Sequence, residues 1–497
     1  MSDTANTQGI TGMPTETQVN HAIKLTYAQV MLGSVFGAST GGMFLIGFAM
    51  GLGADDVALG LMSTIPQLFV VFQFAGAYLV ESGFSRKKLT VWFSTLTPLA
   101  WFLIAAIPLF GASLGGRTSL VILISVIALV TVSNQFAGSA RGSWIGDLIP
   151  AERRGRFFGY SAMFGGIIGA AFAIAEGKFL DVIKDYGLGA FTALFFFGTL
   201  FGLAAALLHI PQPDCPLPKS EEKPSYGDVI RKTFRNRPFV TLAIVHAITA
   251  LSGVAGPFWN AYLLRDVGIG YFGVGILNCI GAVSAVVCAP LWGKAVSKFG
   301  CRPIMIIGLF ILVPASSFWM LVGPKDVAAA YMWVPWGNLL GGVGGSALGV
   351  AISTMVYKAS YPEGRSIQFA MYSVFVTLIG APSPLIGGWL VSRLSSAGYN
   401  IDLRLTFILW SFCMAAAGIV ALGLKESDSA SPRHLVFDRF PSWVGARFAA
   451  TVSAPLGLLE GVLGKLGKYG GGLMGGDRNE DAGTTEERRD DDRAGKG

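Results

Sequence analysis

The amino-acid sequence predicts an all-α polytopic membrane protein whose twelve transmembrane helices form two pseudo-symmetric six-helix bundles. The first observation is the composition, since 52% of the 497 residues are hydrophobic and only 13% are charged, about half the charged share of a soluble domain. The second is a set of uncharged runs, such as residues 119–140, which are long enough to cross a hydrocarbon core of roughly 30 Å. The third is a duplicated segment, which indicates that one helical unit occurs twice.

The duplicated segment reads IPAERRGRFFGYS at residues 149–161 and YPEGRSIQFAMYS at residues 361–373. The two copies align without a gap, so that Arg153 matches Arg365, and Gln368 replaces Arg156 in the second copy. A unit of roughly 200 residues is therefore repeated. Each copy is predicted to form a loop between two apolar spans.

Twelve apolar spans, numbered in chain order, follow from the hydropathy pattern. They cover about residues 27–50, 59–81, 89–111, 119–141, 157–176, 189–210, 239–262, 271–293, 303–323, 330–356, 367–391 and 405–424. The predicted domains are an N-terminal segment 1–26, a first bundle 27–210, a linker 211–238, a second bundle 239–424 and a tail 425–497. The linker is rich in proline and charge, which is typical of a loop.

Basic residues predict the orientation of the chain in the membrane. If the N-terminus is inside, inner loops hold seventeen lysines and arginines and outer loops hold seven, so both termini are expected to be cytoplasmic. These inner loops account for much of the net charge of +7 without a nucleic-acid partner. In the tail, residues 441–471 are expected to lie on the inner membrane surface rather than to cross, and residues 477–497 to be disordered.

The loop GKAVSKFGCR after span 8 resembles the signature loop of the major facilitator superfamily. Gly293, Lys298, Gly300 and Arg302 match that pattern, whereas Ser297 stands where the aspartate usually is. A looser copy after span 2 pairs an acidic residue with a basic cluster. The resemblance covers about residues 25–425 and implies transport by alternating access between the two bundles.

The resemblance also implies that loops of this kind hold the two bundles closed on the inner side. The candidates for this conformational latch are Glu81, Arg86, Asp147, Arg153, Arg156, Gly293, Lys298, Gly300, Arg302 and Arg365. The alternative is that the arginines of the duplicated segment only satisfy the inside-charge rule.

A substrate cavity is expected near the bilayer midplane, and the resemblance implies that spans 1, 4, 7 and 10 line it. The candidate residues are Asn134, Gln135, Arg141, His246, Trp259, Asn260, Trp336 and Asn338. Each has a structural alternative, because amides tie helices together, tryptophans anchor membrane interfaces and arginines near span ends extend to the headgroups.

The titratable residues inside the spans limit which groups could carry a coupled proton. The predicted spans place acidic residues such as Glu176 at their ends, which leaves His246 as the only mid-span group that titrates near neutral pH. No catalytic pair, metal site or cofactor motif is predicted.

The sequence thus predicts a secondary active or facilitative transporter of a small solute in the cytoplasmic membrane. The alternatives are a proton-coupled efflux antiporter of the drug type, a transporter-derived sensor and a membrane-embedded enzyme. The expected partners are the solute, the lipid bilayer and a coupling ion, proton or sodium, and we expect a monomer.

Overall fold

The computed structural model describes residues 15–214, 226–360, 365–397, 402–424 and 426. This part of the chain contains twelve helical spans that are long and apolar enough to cross a membrane, which confirms the predicted number. In order, the spans are Glu16–Gly51, Asp56–Val80, Arg86–Phe110, Gly116–Ile145, Tyr160–Val182, Leu188–Leu207, Arg237–Val267, Tyr271–Phe299, Cys301–Met320, Val327–Ala359, Met371–Ser396 and Arg404–Leu422. The predictions for the tail lie outside the described residues.

Several spans are interrupted helices. Span 1 is helical over Glu16–Thr40, breaks at Gly41 and resumes over Gly42–Gly51. Gly42 has φ +53°, a conformation that favours a residue without Cβ. Span 7 contains a 3-10 turn at Ser252–Ala255. Interrupted helices within the membrane are tolerated where the freed backbone groups are buried in protein or line a cavity, so these breaks indicate the interior of the bundle.

The first copy of the duplicated segment differs from its prediction. It is not a loop, because Pro150 directly precedes a helix over Ala151–Val182. Arg153 therefore lies on the first turn of that helix. The linker likewise contains a helix at Tyr226–Arg235. Both segments are too polar to cross a membrane, and that polarity obscured their helical character in the sequence.

Each half of the chain packs mainly within itself. In the first half, span 3 packs along spans 4 and 6, and span 1 packs against spans 5 and 6. In the second half, span 10 packs against spans 8 and 9, and span 12 packs against spans 7 and 9. Close helix contacts use glycine, as at Gly308, where a Cβ would lie 3.0 Å from the carbonyl oxygen of Gly344.

The two halves meet through two helix pairs, span 2 with span 11 and span 5 with span 8. At the first pair, a Cβ on Gly60 would lie 2.5 Å from the carbonyl oxygen of Pro384. At the second, a Cβ on Gly177 would lie 2.7 Å from the carbonyl oxygen of Tyr271. We call the end of the bundle where spans 1 and 2 join the far end, and the end where span 1 begins the terminus end.

Candidate functional site

A cavity of about 290 Å³ lies between the two halves. Its walls come from spans 1, 5, 7 and 8 and consist largely of glycine and alanine, with Gly41 and Gly42 at the break in span 1. The polar side chains on its wall are the amides of Asn260 and Asn278. Small residues on both halves thus leave room for a solute, and two amides face it.

A second cavity, of about 320 Å³, continues from the first into the second half and shares Asn260 and Asn278 with it. Three indole rings line it, from Trp259, Trp319 and Trp410. Its further polar residues are Ser316 and Asn338. Among the described residues that line it, none carries a charge. We call this space the aromatic–amide pocket.

The rings of the aromatic–amide pocket hold one another in place. Trp259 stacks in parallel on Phe407 with 4.0 Å between ring centroids. Trp319 and Trp410 approach Trp259 edge-on, at 4.7 and 5.9 Å between centroids. Such mutual packing fixes the rotamers of large side chains before a solute arrives.

The amides of the pocket are also oriented. Asn278 Nδ2 donates to Asn260 Oδ1 at 2.9 Å, and Asn338 Nδ2 donates to the carbonyl oxygen of Leu277 at 2.6 Å. An asparagine amide has two donors and one acceptor oxygen with two lone pairs, so capacity remains for a solute. The arrangement suits a molecule with hydroxyl or acetamide groups and an apolar ring face.

Other predicted cavity residues occupy different places. Asn134 accepts a hydrogen bond from Thr97 Oγ1 at 3.0 Å and so ties span 4 to span 3. Trp336 is 55% exposed and does not belong to the residues that line either cavity. His246 Nδ1 lies 2.9 Å from the hydroxyl of Tyr372 on span 11.

Two further candidates lie on span 4. Gln135 is partly buried, and its carbonyl oxygen would lie 3.5 Å from a Cβ on Gly76 of span 2. Arg141 donates a hydrogen bond to the side-chain oxygen of Gln29 on span 1.

Sequence reasoning missed four residues of the aromatic–amide pocket, Asn278, Ser316, Trp319 and Trp410. Asn278 is a polar side chain in the apolar span 8, and that signal was available in the sequence. Trp319 and Trp410 lie in spans 9 and 12, which the resemblance did not place at the cavity.

Glu176 corrects the expectation that acidic residues lie only at span ends. Span 5 continues to Val182, six residues beyond the predicted end. Glu176 Oε1 accepts a hydrogen bond from Ser39 Oγ at 2.6 Å. Ser39 in turn contacts Gly198, near the middle of span 6. Glu176 is only 5% exposed, and its Oε2 has no hydrogen-bond partner among the described residues. A buried carboxyl group therefore lies within span 5, six residues before its end.

The described hydrogen bonds between the two halves lie at the far end. Arg265 Nη1 of span 7 contacts Asp56 Oδ1 of span 2 at 2.7 Å. The carboxylate of Asp181, at the end of span 5, accepts bonds at 2.9 Å from the backbone amides of Tyr271 and Phe272, which begin span 8. A carboxylate is stabilised at a helix N-terminus. These contacts close the far end.

The predicted latch residues of the first half bond within that half. Arg86 Nη1 lies 2.6 Å from Asp147 Oδ2, and Arg86 is only 2% exposed. Arg153 Nη2 lies 2.8 Å from Glu16 Oε1 of span 1. The side chains of Glu81, Arg156 and Arg365 lie outside the description.

The signature loop of the second half surrounds a carboxylate. Glu426 accepts bonds from the backbone amides of Cys301 and Arg302, at 3.2 and 2.8 Å, and from Lys358 Nζ at 3.0 Å. Burial raises the pKa of Glu426, but these amides and the ammonium group of Lys358 outweigh it and hold the pKa below the ordinary value. We call this arrangement the Glu426 clamp.

The other predicted latch residues of that loop are Gly293, Lys298 and Gly300. Gly300 has φ +94° and separates spans 8 and 9. Gly293 has open space where a Cβ would be. Lys298 Nζ lies 5.2 Å from the ring centroid of Phe299. The carboxylate that binds this loop is thus Glu426, which follows span 12, whereas the family pattern usually has an aspartate within the loop.

Comparisons with known proteins agree on one fold. Residues 242–457 match the Major Facilitator Superfamily. The anhydromuropeptide permease of Escherichia coli (strain K12) is 25% identical over 389 residues, covering 74% of this chain and 72% of that protein. Among solved structures, a variant of the nucleoside transporter NupG has a TM-score of 0.63 at 12% identity, covering 82% of this chain and 100% of the other.

A second solved structure is a bacterial homolog of the human lysosomal transporter Spinster in an inward-facing and occupied conformation. It has a TM-score of 0.59 at 17% identity and covers 85% of this chain and 100% of the other. At these identities the two solved structures support the fold alone.

Proposed function

We propose that this chain is a membrane transporter of the major facilitator superfamily and that its solute is a conjugate of an amino sugar and a short peptide. The observation that carries this proposal is the aromatic–amide pocket, with three tryptophans, three asparagines and Ser316. Indole faces contact the apolar face of a sugar ring, and amides bond hydroxyl and acetamide groups.

The relative in Escherichia coli supports this substrate class. Its name describes the transported solute as an anhydromuropeptide, which is a sugar joined to a peptide. Its 25% identity extends over 74% of this chain. The two adjoining cavities have volumes of about 290 and 320 Å³, at the lower end of the usual range of roughly 300–1,000 Å³ for a ligand site.

The proposed transport cycle alternates the access of these cavities between the two sides of the membrane. The basic loops favour a cytoplasmic terminus end, and the contacts of Arg265 and Asp181 join the two halves at the opposite end. With that orientation, contacts between the halves at the outer end support an inward-facing state. In the outward-open state these far-end contacts must break.

Proton-coupled antiport is the second candidate, and Glu176 supports its proton coupling. A drug-type antiporter needs a group within the membrane that holds a proton, and Glu176 supplies a buried carboxyl group bonded to Ser39. The same group serves proton-coupled uptake, so it favours coupling to protons without assigning a direction.

The test is ligand binding to the purified full chain, read as a shift in melting temperature, because a ligand that binds the folded state stabilises it. The probes are an anhydromuropeptide, a nucleoside and a dipeptide. We expect the anhydromuropeptide alone to raise the melting temperature of the wild type. Trp410→Ala should remove the shift, whereas the control Trp336→Ala, an exposed tryptophan outside the cavities, should retain it.

A shift with the nucleoside or the dipeptide, and none with the anhydromuropeptide, would contradict the proposed substrate class. If Trp410→Ala and Trp336→Ala lose the ligand-induced shift in melting temperature to the same extent, the aromatic–amide pocket is not the binding site.

A further inference from the structure

We propose that Arg141 and Gln29 form a subsite for a carboxylate of the solute, between the cavities and the terminus end. The inference rests on the proposed function, since it assigns the peptide end of the same sugar–peptide solute. The first half of the chain would then bind the charged end of the molecule while the second half binds its neutral ring.

Arg141 has no carboxylate partner in the described part of the chain. Its guanidinium donates to Gln29, a side chain only 9% exposed, and Arg141 does not occur in any of the described ion pairs. Arg86 is different, because Asp147 neutralises it. Cations within membrane spans are costly and rare, and where they persist they mark solute and ion pathways.

The positive charge of Arg141 shifts the pKa of a neighbouring histidine. His209 follows span 6 and is 1% exposed. Burial and, second, the positive charge of Arg141 lower the pKa of His209 to about 3, against a smaller opposing effect of Gln212. His209 is thus kept neutral and does not compensate the charge of Arg141, which remains available to an anion.

The helix face next to Arg141 is open. Among the described residues, apart from the backbone of the same helix, no atom lies within 4 Å of the place where a Cβ on Gly138 or Gly142 would be. On one side of this face Arg141 contacts span 1, and on the other Ser139 contacts Gly76 of span 2. The open face therefore lies between spans 1 and 2, and span 2 itself borders the second half. A solute group that enters between the halves can reach the guanidinium here.

Span 1 connects this position with the cavity. Gln29 and Gly37 lie on the same side of the helix Glu16–Thr40, because eight residues turn it by only about 80° beyond two full turns, and Gly37 lines the first cavity. Eight residues separate Gln29 from Gly37, which is about 12 Å along the helix. A sugar in the cavity with a peptide directed to the terminus end spans that distance.

Arginine binds a carboxylate through two parallel hydrogen bonds. Hydrogen bonds to charged groups contribute enough to change affinity about ten- to a hundred-fold. Loss of Arg141 should therefore weaken binding of the acid by that factor and leave an uncharged analogue almost unaffected.

The experiment compares two probes on the purified full chain, an anhydromuropeptide with free peptide carboxylates and the same molecule with those groups converted to carboxamides. The wild type should bind the acid at least about ten-fold more tightly. Arg141→Gln should abolish this preference and bind the two probes equally. Arg141→Lys keeps the charge but not the planar fork and should retain part of the preference. The control is Arg117→Gln, an exposed arginine at the other end of span 4, which should match the wild type.

Four outcomes decide the inference. Equal binding of both probes by the wild type overturns it, and so does an unchanged preference in Arg141→Gln. If neither probe binds the wild type, the proposed function fails first, and the two failures are thereby distinguished. If Arg141→Gln does not fold, Arg141→Lys decides the matter. If this lysine variant binds both probes about tenfold more weakly than the wild type but keeps the full preference for the acid, Arg141 has a structural role only and the inference is overturned.

Discussion

The guanidinium of Arg265 lies 2.7 Å from the carboxylate of Asp56 and thereby joins span 7 to span 2 across the two halves. Arg265 also contacts Asp266, its neighbour in the same half, at 3.3 Å. One cation therefore makes one contact between the halves and one within a half. Removal of each carboxylate in turn separates the effect on closure from the effect on local charge.

We predict that Asp56→Asn opens the far end more often. Partly exposed ion pairs contribute about 0.2–1 kcal/mol, so the fraction of open molecules should rise by a factor of up to about five. The measurement is the rate at which a membrane-impermeant thiol reagent labels Cys279, which lines the first cavity, in a chain whose other cysteines are serine. Reagent added from outside intact cells should label Asp56→Asn faster than the wild type.

The matched control is Asp266→Asn, which removes the contact within the second half only. Its labelling rate should equal that of the wild type. If both variants are labelled equally fast, Asp56 does not hold the halves together. Faster labelling from the cytoplasmic side alone would reverse the orientation that the basic loops predict.

The Glu426 clamp predicts a stability that depends on pH. The pKa of Glu426 is lowered in the folded chain, so its contribution is complete above the unfolded pKa of about 4.3 and is lost as the pH falls through the folded pKa. Glu426→Gln should lower the melting temperature at pH 7, because it weakens bonds from Lys358 and two backbone amides. The difference from the wild type should shrink as the pH falls below about 4.

Glu16→Gln is the control for the clamp, since Glu16 is 75% exposed in its pair with Arg153 and such pairs contribute little. Its melting temperature should stay close to that of the wild type at every pH. A difference between wild type and Glu426→Gln that does not vary with pH would show that the clamp acts by shape rather than by charge.

The sequence predicted the membrane fold because span length and hydropathy are local properties. It did not predict where spans end when a polar residue belongs to a helix, as at Arg153 on the first turn of the helix that continues into span 5. The same error placed Glu176 at the end of a span, although the helix continues to Val182. Hydropathy alone does not distinguish a polar helix from a loop.

The candidate site was predicted in part. Trp259, Asn260 and Asn338 line the cavities. Polar side chains within a span tend to face the interior of the bundle or a cavity rather than lipid, which is why the sequence could predict them. Trp319 and Trp410 come together with Trp259 only through the packing of spans 7, 9 and 12, and no spacing within one span contains that information. The proposed roles of these residues await the binding experiments.

Coupling to protons provides the last prediction, with Glu176 in place of His246 as its carrier. Glu176 is 5% exposed, and one of its oxygens lacks a hydrogen-bond partner in the part of the chain that the structure describes. An ionised carboxylate in that setting is costly within a membrane, so we expect Glu176 to be protonated in this state. The charged groups nearest along span 5 do not neutralise it, because Lys178 lies over the Phe272 ring and Asp181 binds backbone amides of span 8. His246 is bonded to Tyr372 within the second half.

Glu176→Gln keeps the bulk of the side chain and a hydrogen-bond acceptor for Ser39 but does not gain or lose a proton. In proteoliposomes with an imposed pH gradient, it should abolish accumulation of the solute while solute exchange without a gradient continues, because exchange does not require net proton movement. His246→Gln is the matched variant and should accumulate solute as the wild type does. The reverse pattern would make the histidine the carrier, as the sequence first indicated. If wild-type transport does not respond to pH or to a protonophore, the chain is a uniporter or uses another gradient, and the buried carboxyl group serves the packing of spans 1 and 5.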